Sequence, residues 1–128
     1  MSVARYAATQ NSAASPREIE LRAFRYVNGL LAAATDTPGR ATALYKTTQL
    51  WSLLITDLLR DDNELPADLK GRLVSLGLWA QREAADRLAD GGSLAPLIEL
   101  HRDMIAGLEA QRAGTPSPPQ RAFVAGSA

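Results

Sequence analysis

Prolines and glycines divide the middle of this sequence into four segments, and this division constrains the fold most strongly. Pro16, Pro38 and Pro66 each open a segment, and the pair Gly91-Gly92 separates the last two. Proline is accepted in the first turn of a helix but not in its interior, and glycine favours helix ends. The spacing predicts four helices, over about 15–34, 37–59, 66–90 and 93–111.

Capping residues support three of the four predicted helix starts. Ser15 and Glu18 can form a capping box, in which the serine caps the helix and the glutamate returns a hydrogen bond. Thr37 and Ser93 stand at the corresponding positions before the second and fourth helices. No alternating pattern typical of a β-strand interrupts the segments.

Within each segment, apolar residues recur three or four positions apart, as they do on the buried face of a helix. The predicted inward faces are Ile19, Ala23, Tyr26, Val27 and Leu30; Leu44, Thr48, Trp51, Ile55, Leu58 and Leu59; Leu69, Leu73, Leu76 and Ala80; and Leu94, Leu97, His101, Met104, Ile105 and Leu108. Gly77 adjoins the third face, where it can let a neighbouring backbone approach closely.

These patterns predict an all-α fold: a single small four-helix domain, an irregular bundle, over residues 15–112. Residues 1–14 are rich in Ala, Ser, Thr and Gln, and we expect a flexible N-terminal arm that carries one aromatic residue, Tyr6. Residues 113–128 contain Pro, Ser and Gly and are predicted to form a disordered tail.

Composition narrows the function classes. The 14 basic and 14 acidic residues balance, so direct contact with nucleic acid or an anionic membrane is not expected. The absence of cysteine excludes disulfides, thiolate catalysis and cysteine-based zinc sites. No signal peptide and no apolar run long enough to span a bilayer is visible, so we expect a soluble, cytoplasmic protein.

The chemistry-bearing residues do not predict an enzyme, and no cofactor or metal is expected. His101, the only histidine, falls on the inward face of the fourth helix, where a structural role is favoured over catalysis. The run Asp61-Asp62-Asn63-Glu64 lacks the layout of an EF-hand and is interpreted as a solvated turn.

Two features stand above this background: a pair of tryptophans and surplus apolar surface. A small bundle hides one apolar face per helix, yet the second and third helices carry additional apolar strips. Another subunit, the terminal segments or the amphipathic helix of a partner can cover such strips, or they can pack inside an irregular bundle. The predicted partner-binding residues are Leu50, Trp51, Leu54, Val74, Leu78, Trp79 and, from the arm, Tyr6. Trp51 also lies at the centre of its inward face, and for this residue core packing is favoured over partner binding.

Seven segments of the sequence together carry a resemblance to a known family. They are Ser15–Glu18, Leu50–Leu58, Asn63–Pro66, Leu76–Trp79, Arg82–Ala84, Ser93–Leu100 and Met104–Leu108. This ordered set resembles the FlaF family of flagellar biosynthesis regulators. The resemblance runs from about Tyr6 to Leu108 and leaves the tail outside.

The resemblance implies a role in flagellum biogenesis. Proteins of this family are linked to flagellin synthesis and secretion and are thought to bind flagellin as an export chaperone, beside a separate translational regulator. Flagellin has amphipathic terminal helices, which a small helical protein can hold by helix-in-groove docking. Two alternatives stay open: a post-transcriptional regulator that acts on flagellin mRNA with a partner protein, and a plain dimerising adaptor, a homodimer in which the strips face each other.

Overall fold

The computed structural model describes residues 15–112, which form four α-helices and contain no strand. In chain order these are α1 (Pro16–Ala33), α2 (Thr37–Leu58), α3 (Ala67–Asp90) and α4 (Ala95–Arg112). The predicted all-α, four-helix domain is confirmed. The predicted arm, residues 1–14, and the predicted tail, residues 113–128, lie outside the described residues.

The starts of α1 and α2 depend on side-chain caps. Ser15 Oγ accepts the backbone N–H of Glu18 at 3.1 Å, as the sequence predicts. The predicted cap of α2, Thr37, is off by one residue. Asp36 caps this helix, because its carboxylate accepts the N–H of Gly39 at 2.8 Å. Thr37 is the first residue of the helix rather than its cap.

The connection between α3 and α4 is short and tightly turned. Gly91 follows α3 with a φ of 70°, in the left-handed region that glycine adopts without steric cost. Ser93 Oγ then accepts the N–H of Ala95, the first residue of α4, at 3.1 Å. Pro66 stands immediately before α3 and not within its first turn. The predicted helix boundaries are therefore correct to within two residues.

The helices follow one another in space in the order α3, α2, α1, α4. α2 packs on both α1 and α3, α4 packs mainly on α1, and α3 and α4 meet only sparsely. Two ion pairs hold α4 against α1: Arg25 with Glu109, and Arg112 with Glu18. One end of the space between α3 and α4 is open.

Gly77 allows α3 to lie unusually close to α2. A Cβ atom at this position would lie 2.8 Å from Trp51 Cε3 and 2.9 Å from Ile55 Cδ1, which is closer than van der Waals contact permits. One turn away, Gln81 donates hydrogen bonds to the carbonyl oxygen of Thr48 at 3.1 Å and to Ser52 Oγ at 2.8 Å. The predicted close approach at this glycine is present, and it places α3 directly over the indole ring.

The buried face of α1 differs from the predicted one. Leu21, Phe24, Val27 and Leu31 are buried, whereas Tyr26 is exposed and Ile19, Ala23 and Leu30 are only partly covered. The two faces are adjacent on the helix, and the packing of α2 and α4 covers the one that carries Phe24 and leaves the phenol of Tyr26 exposed. On α2, Leu59 was also predicted inward and is exposed.

Candidate functional site

The open space between α3 and α4 forms an apolar cleft of about 420 Å³ at one end of the bundle. The turn at residues 91–94 joins the two helices at the other end, so that they diverge toward the cleft. Aliphatic and aromatic side chains of all four helices and of the α2–α3 turn line it, namely Phe24, Leu54, Leu58, Leu65, Leu69, Leu73, Met104 and Leu108.

Each wall of the cleft presents apolar residues one helical turn apart. Leu69 and Leu73 stand at positions i and i+4 of α3, and Met104 and Leu108 do so on α4, so each pair lies on one helix face. Phe24 contributes to the lining from α1. Leu73, Met104 and Leu108 are at most 7% exposed and form the floor of the cleft, whereas Leu69 is partly exposed. Their spacing matches the apolar face of another helix.

The turn before α3 shapes one edge of the cleft. Asn63 Oδ1 accepts the N–H of Leu65 at 3.1 Å, and its Nδ2 donates to the carbonyl oxygen of Asp57 at 3.2 Å. These bonds tie the turn to the end of α2 and set the position of Leu65, which joins the lining. The turn was predicted as a solvated connection, and three of its residues, Asn63, Glu64 and Leu65, line the cleft.

The polar mouth of the cleft is acidic. Glu20, Asp57 and Glu64 place three carboxylates there, against the single guanidinium of Arg17. Burial raises the pKa of the Glu20 carboxyl, the nearby Arg17 lowers it, and the charge of Asp57 raises it further. A cationic group at the mouth would therefore find favourable partners.

Gln111 adds a polar group without a partner to this site. Its Oε1 atom is buried and accepts no hydrogen bond from any residue between 15 and 112, although the side chain lines the cleft. A buried acceptor without a donor costs about 1–3 kcal/mol. An occupant of the cleft that carries an N–H or O–H donor can satisfy it.

The centre of the bundle holds an aromatic cluster that includes Trp51, one of the predicted partner-binding residues. Trp51 is fully buried, and its Nε1–H donates a hydrogen bond to His101 Nε2 at 3.0 Å. Phe24 meets the tryptophan and histidine rings edge-on, with ring centroids 5.5 Å apart in each case. The indole has no exposed surface with which to contact a partner and anchors the core.

His101 is neutral in this cluster. Burial lowers its pKa to about 4, because a charged ring would be cut off from water. Since Nε2 accepts the hydrogen bond from Trp51, the neutral ring carries its proton on Nδ1, which has no partner among the described residues. With no exposed surface, the ring cannot touch a substrate in this structure.

The structure does not bring the predicted partner-binding residues together on one surface. Leu54 lines the cleft. Leu50 and Val74 are partly buried and pack against the core. Leu78 and Trp79 are 50% and 39% exposed on α3 and do not line the cleft, and Tyr6 lies outside the described residues.

Leu58, Leu73, Met104 and Leu108 are buried core residues, as their inward spacing predicts, and Leu69 is partly buried. The same residues also line the cleft, which helical periodicity alone cannot reveal. The sequence signal for the cleft was the set of ionisable residues near the helix ends, Arg17, Glu20, Asp57 and Glu64. It becomes informative only once the helix order is known.

Neither a metal centre nor a membrane segment is evident between residues 15 and 112. In that part of the chain no group of three or more His, Asp or Glu side chains is placed to hold a metal ion. None of the four helices combines the length and hydropathy that crossing a membrane requires.

Fold and site together define a small all-α protein with an open apolar cleft at one end of a four-helix bundle. The sequence matches the family model described as flagellar protein FlaF over residues 2–108. Because the match covers most of the chain, the protein belongs to the FlaF family, a family of flagellar proteins. No curated protein and no solved structure matches the chain.

Proposed function

We propose that this protein is a flagellum biogenesis factor that binds flagellin in the cytoplasm, as a secretion chaperone and regulator of flagellin synthesis and export. The bound element is an amphipathic terminal helix of flagellin, which docks between α3 and α4. One observation carries the proposal: the open apolar cleft, whose walls repeat with helical spacing. Membership in a flagellar family supports the biological setting.

The dimensions of the cleft suit side chains from one face of a helix. A volume of about 420 Å³ lies within the usual range of 300–1,000 Å³ for binding pockets and accommodates a few large aliphatic side chains. Each such side chain contributes about 1.5–3 kcal/mol when it is fully buried. Two or three such anchors contribute about 3–9 kcal/mol. Because association itself costs about 4–15 kcal/mol, micromolar affinity also requires contacts at the rim of the cleft.

The acidic mouth restricts which helix binds well. Glu20, Asp57 and Glu64 favour a partner whose apolar face is bordered by Lys or Arg, and they disfavour one that is bordered by carboxylates. The function requires binding only, with no catalytic step and no cofactor. The neutral net charge of the chain argues against direct RNA contact, so a translational effect would act through a protein partner.

A second surface on α3 supports a further contact. Leu78 and Trp79 are large, exposed and adjacent, outside the cleft. They fit a contact with a flagellin translational regulator, or with a second copy of the chain in a homodimer. The two surfaces allow a chaperone role and a regulatory role to coexist in one domain.

Calorimetric titration of the full chain with flagellin, and with flagellin shortened at either end, tests the proposal. Saturable binding that one terminal truncation removes would support it and would identify the bound helix. If full-length flagellin shows no heat of binding at micromolar concentrations, the proposed chaperone role is incorrect.

A further inference from the structure

We infer that the N-terminal arm of this same chain, residues 1–14, docks in the cleft between α3 and α4 and competes there with the flagellin helix. The competition rests on the proposed function, whereas the docking of the arm does not. The case depends on the position of residue 15, on the charge at the mouth and on the buried Gln111 Oε1, which has no partner among residues 15–112.

The arm joins the domain at the rim of the cleft. Pro16 and Arg17, in the first turn of α1, line the cleft, so only Ser15 separates them from the arm. Tyr6 precedes Ala14 by eight residues, which reach about 26 Å when extended and about 12 Å when helical. Either geometry allows the tyrosine to return over the opening without any change in the domain.

The composition of the arm complements the site. Its only charged side chain is Arg5, which stands next to Tyr6 and two positions after Val3. Val3 and Tyr6 supply apolar surface for the lining, and Arg5 supplies a cation for a mouth with three carboxylates and one guanidinium. The phenol O–H of Tyr6 is a donor of the kind that the buried Gln111 Oε1 lacks.

The C-terminal tail also carries an arginine near an aromatic residue, Arg121 and Phe123, but it fits less well. Pro116, Pro118 and Pro119 lie between α4 and this pair, and proline-rich chain is extended and stiff, which opposes a return to the cleft. The family match also includes residues 2–14 and ends at residue 108, so the arm and not the tail belongs to the family's common region.

Paramagnetic relaxation enhancement on the full chain tests the docking. Because the chain contains no cysteine, a nitroxide can be attached at a single introduced one, Ser2→Cys in the arm or Ser127→Cys in the tail. The arm label should broaden the amide signals of Leu69, Leu73 and Leu108 and leave those of Tyr45 and Leu53 sharp. Adding Tyr6→Ala should abolish the broadening, whereas the matched arm variant Thr9→Ala should preserve it.

Three results would overturn the inference: no broadening from the arm label, broadening that Tyr6→Ala leaves unchanged, or broadening of the cleft by the tail label alone. None of these measurements involves flagellin, so their failure leaves the proposed function standing. If both proposals hold, Tyr6→Ala should also tighten flagellin binding, by about two- to tenfold for an arm that occupies the cleft for half to nine tenths of the time.

Discussion

The indole N–H of Trp51 donates a hydrogen bond to His101 Nε2 over 3.0 Å, at a point in the bundle where neither ring reaches solvent. This bond joins α2 to α4, two helices whose main packing partners lie elsewhere. It gives the single histidine a structural role. The hydrogen-bonded pair also supports one side of the cleft, because Phe24 packs on both rings and lines the cleft as well.

Trp51→Phe should destabilise the domain by about 1–3 kcal/mol. The substitution removes the donor and leaves a buried acceptor on His101 unpaired, and it also opens a small cavity. Urea unfolding followed by circular dichroism measures the change. Trp79→Phe is the matched control, because Trp79 is 39% exposed, and its effect should stay within about 0.5 kcal/mol. Equal effects of the two substitutions would contradict the assigned role of Trp51.

Stability should decrease as the pH falls from about 6.5 to about 4. In this range the unfolded chain protonates His101 while the folded chain keeps it neutral, because its pKa is lowered to about 4. The unfolded state then binds more protons, so acid favours unfolding, by about 3 kcal/mol across the whole range.

Comparison with His101→Phe isolates this contribution of the histidine. The difference in unfolding free energy between the two proteins should change with pH between about 6.5 and 4, while contributions from Glu20 and other carboxylates cancel. Urea titrations at several pH values measure it. A difference that is constant over this range would mean that His101 takes up its proton at the same pH in the folded and the unfolded protein, so that its pKa is not lowered by folding.

Two glycines of α3 should respond to alanine in opposite directions. Gly77→Ala places a Cβ within 2.8 Å of the Trp51 ring, so it should destabilise the domain by about 1–3 kcal/mol. Gly71→Ala meets no atom within 4 Å and should stabilise by about 0.5–1 kcal/mol through helix propensity. Thermal melts of both variants provide the comparison. A stabilising Gly77→Ala would show that α2 and α3 are not packed this closely.

Trp79→Ala should change flagellin affinity by no more than about twofold and leave the melting temperature nearly unchanged. The side chain is on α3 but outside the cleft, and most contacts outside the central anchors contribute little to binding. Calorimetry measures the affinity. Loss of binding by a folded Trp79→Ala protein would move the flagellin site from the cleft to the surface that Leu78 and Trp79 share.

The fold was predictable because its determinants are local. Ser15, Pro38 and Gly91 act within a few residues of the helix ends that they define. Their effect can therefore be predicted without knowledge of the tertiary packing. The buried face of α1 was not predictable in this way. Two adjacent faces of that helix are both apolar, and only the positions of α2 and α4 decide which of them is covered.

The candidate site could not be predicted from a single sequence, because it depends on how the helices pack against one another. Leu69 and Leu108 have the spacing of core residues, and they also line a cleft because α4 packs mainly on α1 and meets α3 only sparsely. Trp51 shows the opposite case. A large aromatic residue in a small domain suggested a binding anchor, yet Gly77 and His101 form a closed pocket for it inside the bundle.

A matched pair of leucine substitutions tests whether the cleft between α3 and α4 binds an amphipathic helix of flagellin. Leu69→Gln replaces an apolar wall residue of the cleft, whereas Leu53→Gln changes a leucine that is 58% exposed on α2 and outside the cleft. Flagellin is titrated into each full-length variant, and a melting curve confirms that both are folded.

Leu69→Gln should weaken flagellin binding about tenfold or more, because the substitution removes the buried contact of one aliphatic side chain. A loss of about 1.4 kcal/mol corresponds to a tenfold change in affinity. Leu53→Gln should bind as the unsubstituted protein does. Equal affinities of the two folded variants would contradict the claim that the cleft is the binding site.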